Sequence, residues 1–263
     1  MDDVFGYTEY DADSIAPTWN ARRVHFLRWR AGWNLSTLLV EWERRLTGVD
    51  DPDTAAIVTL PSLETPSIPA LIRHHFAPLI VIASRPAWRS GPTGAPDVAI
   101  RPVTHADLDV AVELNMETVR YDAQFGVVTE RENSAELLRA SIAAMLDRDH
   151  ECVWFATLDD IPVGMLYVDM PPHSDWMAQY MAVAPFAYIG MLGVRDGLRG
   201  RGVGASLVAH AHKVLDEAGV QTTLLHHAYP NPRSTPFWYS QGYQPVWTMW
   251  VRRPALRSSG VAP

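Results

Sequence analysis

Residues 192–205 read Leu192-Gly193-Val194-Arg195-Asp196-Gly197-Leu198-Arg199-Gly200-Arg201-Gly202-Val203-Gly204-Ala205. The run follows an apolar, strand-like stretch, Ala187–Val194, and opens a helical pattern with apolar Leu207, Val208, Ala211, Val214, Leu215 and Ala218. Gly219 stands where helices commonly stop. A strand, a glycine-rich turn and a helix aim several backbone N–H groups at one point. Glycine lets the backbone approach closely, and the helix dipole favours negative charge there. An anion the size of a diphosphate suits such a turn.

Working outward, the 263 residues supply one large domain or two small ones, and 48% hydrophobic against 20% charged residues fills a core easily. No apolar run approaches the ~18 residues of a spanning helix, so no membrane partner is expected. Met1-Asp2-Asp3-Val4 lacks a signal-peptide pattern, and the lone Cys152 excludes an internal disulfide. The expectation is a cytoplasmic setting. A net charge of −8 argues against nucleic acid as the partner and suits steering of a cationic small molecule as well as plain solubility. No metal-ligand pattern stands out.

Pro86–Ala99 is dense in Pro, Gly and Ser and reads as a linker, assigned to 86–97. Residues 98–253 read as a complete domain and 254–263 as a frayed tail. Within the domain the reading gives a strand at 98–102, a capped helix from Thr104-His105-Ala106-Asp107 to Arg120 and a helix at 134–146. Strands follow at 152–158 and 162–170, then a long aromatic and Met-rich connection at 171–185. After the glycine turn and its helix come a strand at 221–228, a short helix at 234–241 and a closing strand at 246–252. This mixture defines an α/β (α+β, mixed-sheet) class.

Arg199, Gly202 and Gly204 form Arg-x-x-Gly-x-Gly. Downstream, Asn231, Phe237, Trp238, Gly242 and Tyr243 follow an Asn, aromatic helix, Gly-aromatic order. Ile100–Asp107 reads as a first strand and helix cap. Together these resemble the GNAT acyltransferase superfamily over residues 98–253. The resemblance implies a GNAT fold and acetyl-CoA as acyl donor. It implies that Leu192, Gly193 and Val194 pair with the pantetheine arm like an added strand. Arg199, Gly200, Arg201, Gly202, Val203, Gly204 and Ala205 would hold the diphosphate. Asn231 would line the arm, though a turn asparagine before a helix is equally at home there.

The chemistry implied is acyl transfer to an amine, in one ternary complex, with a backbone N–H steadying the oxyanion. A lysine-like amine, with pKa about 10.4, must first lose a proton. Where relatives carry a carboxylate base, counting back from Arg199 gives Tyr188, a poor base. His226 and His227 lie near the end of the fifth strand of that fold, and alternation turns one of them to the cleft; His227 is the preferred candidate. Glu113 and Glu117 share a helix face bordering the acceptor, so Glu117 is a candidate base or amine ligand. The position of the tyrosine acid of many relatives holds Trp238, which donates only a hydrogen bond. Tyr121, Phe125, His173, Trp176, Met177, Tyr180 and Met181 give the acceptor site an apolar wall. The expected partner is a small-molecule amine, with a homodimer left open. The alternatives are a non-catalytic acyl-CoA-binding module and a protein N-terminal or lysine acetyltransferase.

Residues 1–85 carry a second signal. Thr54–Arg85 aligns without gaps to Gln221–Arg252 at a shift of 167, with Ser67, Pro69, Pro78 and Arg85 matching Ser234, Pro236, Pro245 and Arg252. Both copies read strand, proline-punctuated loop, short helix, aromatic-x-Pro, strand. Leu35–Leu46 reads as a helix upstream, but Arg28–Asn34 lacks the glycine pattern of the 199–204 turn. The expectation is a degenerate GNAT-like half-repeat that binds no cofactor and extends the sheet or covers the other lobe.

Overall fold

A computed structural model describes residues 4–257. Residues Met1–Asp3 and the tail beyond Arg257 lie outside the described residues. The N-terminal part runs β1 (Phe5–Glu9), α1 (Ala16–Trp19), β2 (Arg23–Arg28), α2 (Leu35–Glu43), β3 (Thr54–Pro61), α3 (Ile68–Arg73) and β4 (Ala77–Pro86). The rest runs β5 (Ala99–Pro102), α4 (Leu108–Asp122), α5 (Ser134–Leu146), β6 (Val153–Leu158), β7 (Ile161–Asp169) and β8 (Phe186–Val194). It closes with α6 (Val203–Glu217), β9 (Thr222–Ala228), α7 (Ser234–Ser240) and β10 (Gln244–Arg252). All strands join one mixed sheet in the order β1-β2-β3-β10-β4-β9-β8-β7-β6-β5.

Local chemistry places these elements much as the sequence suggests. The Thr104 N–H donates to Asp107 Oδ2 at 2.9 Å, which closes the entry to α4. Arg101 donates to both Asp107 oxygens at 2.8 Å, and holds that carboxyl far below the usual carboxylate range. In α6 the apolar stripe Val203, Leu207, Val208, Ala211 and Leu215 is buried on the sheet, and Gly219 ends the helix at φ +80°. Asn34 caps α2 by accepting the Thr37 N–H at 3.1 Å. No described helix is long and apolar enough to cross a membrane.

The repeat at a shift of 167 falls on matching elements: β3 on β9, α3 on α7, β4 on β10. Upstream, β1 is antiparallel to β2 and β2 parallel to β3, as β7 is antiparallel to β8 and β8 parallel to β9. The final strand of each half crosses over. β4 pairs with β9, β10 pairs with β3, and β4 and β10 pair with each other. The eight strands from β1 to β7 therefore read the same from either end, with a pseudo-twofold between β10 and β4.

The matched arginines pin this exchange. Arg252, on β10, is buried in the N-terminal half, where Nη1 bonds the Glu43 carboxylate and the His74 carbonyl (2.9 Å) and the guanidinium lies 4.8 Å over Phe76. Arg85, on β4, is buried beside α6, with Nη1 3.7 Å from Asp216. Each lobe is thus completed by the other's last strand, so residues 1–85 extend the sheet by interlocking with it. The expected frayed tail begins later than the sequence suggests. Ala255 is fully buried, its N–H donates to Thr54 Oγ1 at 3.0 Å, and Leu256 bridges Val49. The linker is also ordered: Gly94 and Ala95 pack on the start of α6, and the Ala95 N–H donates to Ser206 Oγ at 3.0 Å.

Candidate active site

The site begins with a break in strand pairing. β8 and β9 pair in parallel only from Phe186↔Thr222 to Ile189↔Leu225. Beyond that point β8 continues to Val194 along β7 alone, and β9 to Ala228 along β4 alone. A bulge at Gly190 starts the divergence, because the β7 partner steps from Tyr167↔Met191 to Val168↔Ile189. Only glycine fits there: a Cβ on Gly190 would lie 2.0 Å from the Tyr167 ring. The gap leaves backbone groups of residues 190–194 without a strand partner on one side, so they can pair with an extended guest.

The mouth of the gap leads into the glycine turn. Gly197, Gly200 and Gly202 have φ of +80°, +78° and +82°. The first helical bond of α6 runs from the Ser206 N–H to the Gly202 carbonyl at 2.9 Å. The N–H groups of Val203, Gly204 and Ala205 therefore have no acceptor inside the helix. This cradle fits a diphosphate: orphan donors, a helix N-terminus and no side chain at Gly200 or Gly202. Arg199 donates from Nε to the Val194 carbonyl (3.2 Å), sits 3.2 Å from Asp196 and lies 4.6 Å over the Tyr121 ring. Arg201 is exposed.

Two glycines define the faces of the gap. A Cβ on Gly193 would meet Thr118 of α4, and one on Gly164 would meet Val203 and Leu207 of α6. Leu192 faces the α6 side, its Cδ2 3.7 Å from a would-be Gly204 Cβ. Tyr188 pairs with Asp169 and shares the α4 face, where its hydroxyl meets His226 Nδ1 at 3.0 Å. Trp176, from the β7–β8 connection, stacks on His226 at 6.1 Å and 5°, and edge-on against Tyr188 at 4.7 Å. His227 points the other way, to α7, with Nδ1 3.3 Å from Thr235 Oγ1 and its ring edge-on to Tyr239. Its Nε2 is buried without a partner. Burial lowers both histidines to about 4; the His227 charge adds to the effect on His226, and the Ala228 carbonyl opposes it on His227.

Other expected site residues are placed differently. Glu117 does not stand free near an amine. Arg195 Nη1 bonds Glu113 at 2.9 Å and Glu117 at 3.0 Å, a fork at the start of the turn that engages both carboxylates. His227 is absent from the face that carries Tyr188, because consecutive β residues point to opposite sides. Burial raises the Tyr188 phenol, which keeps it protonated. Trp238 is buried between Phe237 and Tyr243, turned into the core. Asn231 is buried, accepts the Arg233 N–H at 2.9 Å and donates to Asp122 Oδ1 at 3.0 Å. Its place is the turn-and-cap role, next to the mouth. Asp122 escaped the sequence reading. Burial is the main cause that raises its carboxyl to about 6, against the opposing Asn231 bond and Arg199 charge. Only its position on α4, one turn beyond Thr118, brings it to the end of β9, and no spacing in the sequence reports that.

Residues 118–243 match the model of the acetyltransferase (GNAT) family. The chain resembles in structure a GCN5-related N-acetyltransferase from Sphaerobacter thermophilus, with TM-score 0.61, 16% identity, and coverage of 90% of this chain and 76% of that one. It also resembles a functionally unknown conserved protein from Staphylococcus epidermidis (TM-score 0.53, 13% identity, covering 91% and 88%). A third likeness is to a GCN5-related glucosamine N-acetyltransferase region of a fungal multi-domain GH3 beta-N-acetylglucosaminidase (TM-score 0.54, 13% identity, covering 87% of this chain and 29% of that one). No curated protein sequence matches the chain. At such identities the likenesses speak for the fold, and the match over 118–243 spans the gap, the glycine turn and α7. That segment, 118–243, carries the sequence pattern of the acetyltransferase (GNAT) family, and the chain shares its fold with the structures above.

Proposed function

We propose that the protein binds acetyl-CoA in the gap between β8 and β9 and transfers the acetyl group directly to the amine of a small molecule. The observation that carries this reading is the Gly190 break, which opens unpaired strand backbone straight into the glycine cradle at α6. The diphosphate is assigned to the N–H groups at 203–205, with charge from Arg199 once its ring contact with Tyr121 is exchanged for phosphate. The arm is assigned to the free edge of residues 190–194, and the thioester carbonyl to a backbone N–H beside the bulge, which stabilises the oxyanion. Trp176 and Tyr188 form an aromatic wall on the α4 face, which favours a small acceptor over a protein chain.

The N-terminal half is assigned no donor site. β2 and β3 stay paired from Arg23↔Thr54 to Arg28↔Thr59, so no gap opens at the end of β2. Calorimetry with acetyl-CoA, followed by thiol release against a panel of amines, tests the reading. Binding with turnover is the expected result. Absence of binding would remove the site and the activity together, and binding without turnover on any amine would favour an acyl-CoA-binding module.

A further inference from the structure

We propose that the N-terminal half, together with the β10 strand that completes it, is the frame of the acceptor site: through Asp53 and Trp247 it holds the two irregular segments that border the α4 face of the gap. The inference rests on the reading of that face as the acceptor side. It gives the half without a donor site a part in the transfer.

The first segment, residues 123–133, joins α4 to α5. It starts at the mouth, where the Tyr121 ring lies 4.6 Å from the Arg199 guanidinium and 5.5 Å from Phe125, edge-on. Its far end is tied across the lobes. Arg131 donates to both Asp53 oxygens, at 3.0 and 2.7 Å, and from Nε to the Pro17 carbonyl at 2.7 Å. The Thr129 N–H donates to the Thr18 carbonyl at 2.9 Å, and Arg253, just past β10, donates to Thr129 Oγ1 at 3.0 Å. Asp53 is itself fixed ahead of β3, where it accepts the Arg22 N–H at 2.9 Å. A bidentate guanidinium–carboxylate pair fixes orientation as well as distance.

The second segment, residues 171–185, lies between β7 and β8. Met177 is fully buried in an apolar cluster with Val24 of β2, Ile57 of β3 and Ile82 of β4. Three residues on, the Tyr180 carbonyl accepts the Trp247 indole N–H at 2.9 Å, and the two rings meet edge-on at 6.1 Å. Trp176, beside this anchor, stays 52% exposed against His226 and Tyr188. A half-exposed indole keeps one place only if its backbone is held, and here the hold comes from β10 and the N-terminal strands. An amine must meet the thioester within a narrow range of distance and angle. Walls hung on a rigid sheet serve that transfer, and walls left loose admit water in place of the amine.

Kinetics on the full chain test this, with acetyl-CoA as donor and a panel of amines that includes tryptamine and putrescine. Water is the second acceptor, and its attack yields acetic acid and the CoA thiol. Asp53→Asn loosens the first segment and Trp247→Phe the second. Each should raise KM for the best amine of the panel by about tenfold, hold acetyl-CoA affinity by calorimetry within about threefold, and leave hydrolysis at least as fast as in the parent. Glu43→Gln is the control for general destabilisation, since it weakens the N-terminal half at Arg252 and touches neither segment. Its amine KM should stay within about twofold of the parent. An amine KM within about twofold of the parent in Asp53→Asn or in Trp247→Phe would overturn the role of that segment, and an equal rise in Glu43→Gln would overturn both. A parent that binds acetyl-CoA but acetylates no amine would remove the acceptor site and this proposal with it. Failure of the parent to bind acetyl-CoA would instead overturn the donor reading beneath.

Discussion

Replacing Gly202 by alanine strikes the cradle and the linker at one atom. Gly202 has φ +82°, and a Cβ there would lie 2.8 Å from Ala95 Cβ and 3.1 Å from Ala95 N. The left-handed conformation costs an L-residue about 1–2 kcal/mol. Forcing the linker away from α6 adds about 1–3 kcal/mol of overpacking. Gly202→Ala should therefore destabilise the fold by about 2–5 kcal/mol. Ala95→Gly removes the Cβ–Cβ clash but leaves both the backbone strain and the contact with Ala95 N. The double variant should recover about 1 kcal/mol relative to the sum of the two single changes. Urea unfolding followed by tryptophan fluorescence measures this as a fall in midpoint at constant slope. Acetyl-CoA calorimetry on the same variants should show weakened binding that Ala95→Gly does not fully restore. A Gly202→Ala cost below about 0.5 kcal/mol, or strict additivity in the double variant, would refute the reasoning.

Three further outcomes follow from the geometry. Gly190→Ala places a Cβ 2.0 Å from the Tyr167 ring, so it should shift the bulge and abolish acetyl-CoA binding by calorimetry; retained affinity would show that the gap does not need the bulge. Arg252→Met leaves Glu43 without its buried partner and should cost about 3–5 kcal/mol. Because β10 completes the N-terminal half, unfolding should stay a single transition, and two separate transitions in urea would contradict the interlock. Asp122 is raised to about 6 in the fold, so the native state binds its proton more tightly than the unfolded chain, and stability should fall as pH rises from about 4 to 6. Asp122→Asn should flatten that fall and gain about 2–3 kcal/mol at pH 7, read from urea midpoints across pH; an unchanged slope would contradict the assignment.

The sequence by itself determined the elements and the glycine turn at the start of α6. Short-range rules suffice for these: apolar periodicity for α6, glycine spacing for the turn, the Thr104–Asp107 cap for α4. Even the pairing of Thr54–Arg85 with Gln221–Arg252 was legible, because proline and aromatic positions mark the same strand-helix-strand order twice. The exchange of β4 and β10 was not. Both strands are apolar, both carry the matching arginine, and either lobe offers an antiparallel edge, so local preference is the same for the exchanged and unexchanged partners. Tertiary contacts decide, through Arg252 on Glu43 and Arg85 beside Asp216. The histidines show the same limit at the site. Alternation says that His226 and His227 face opposite ways, but not which faces where. That depends on the Gly190 bulge and on the parallel register Ile189↔Leu225, which bring His226 to Tyr188 and turn His227 to α7. Register is set by contacts between segments distant in sequence, so the chemistry of this site belongs to the folded molecule.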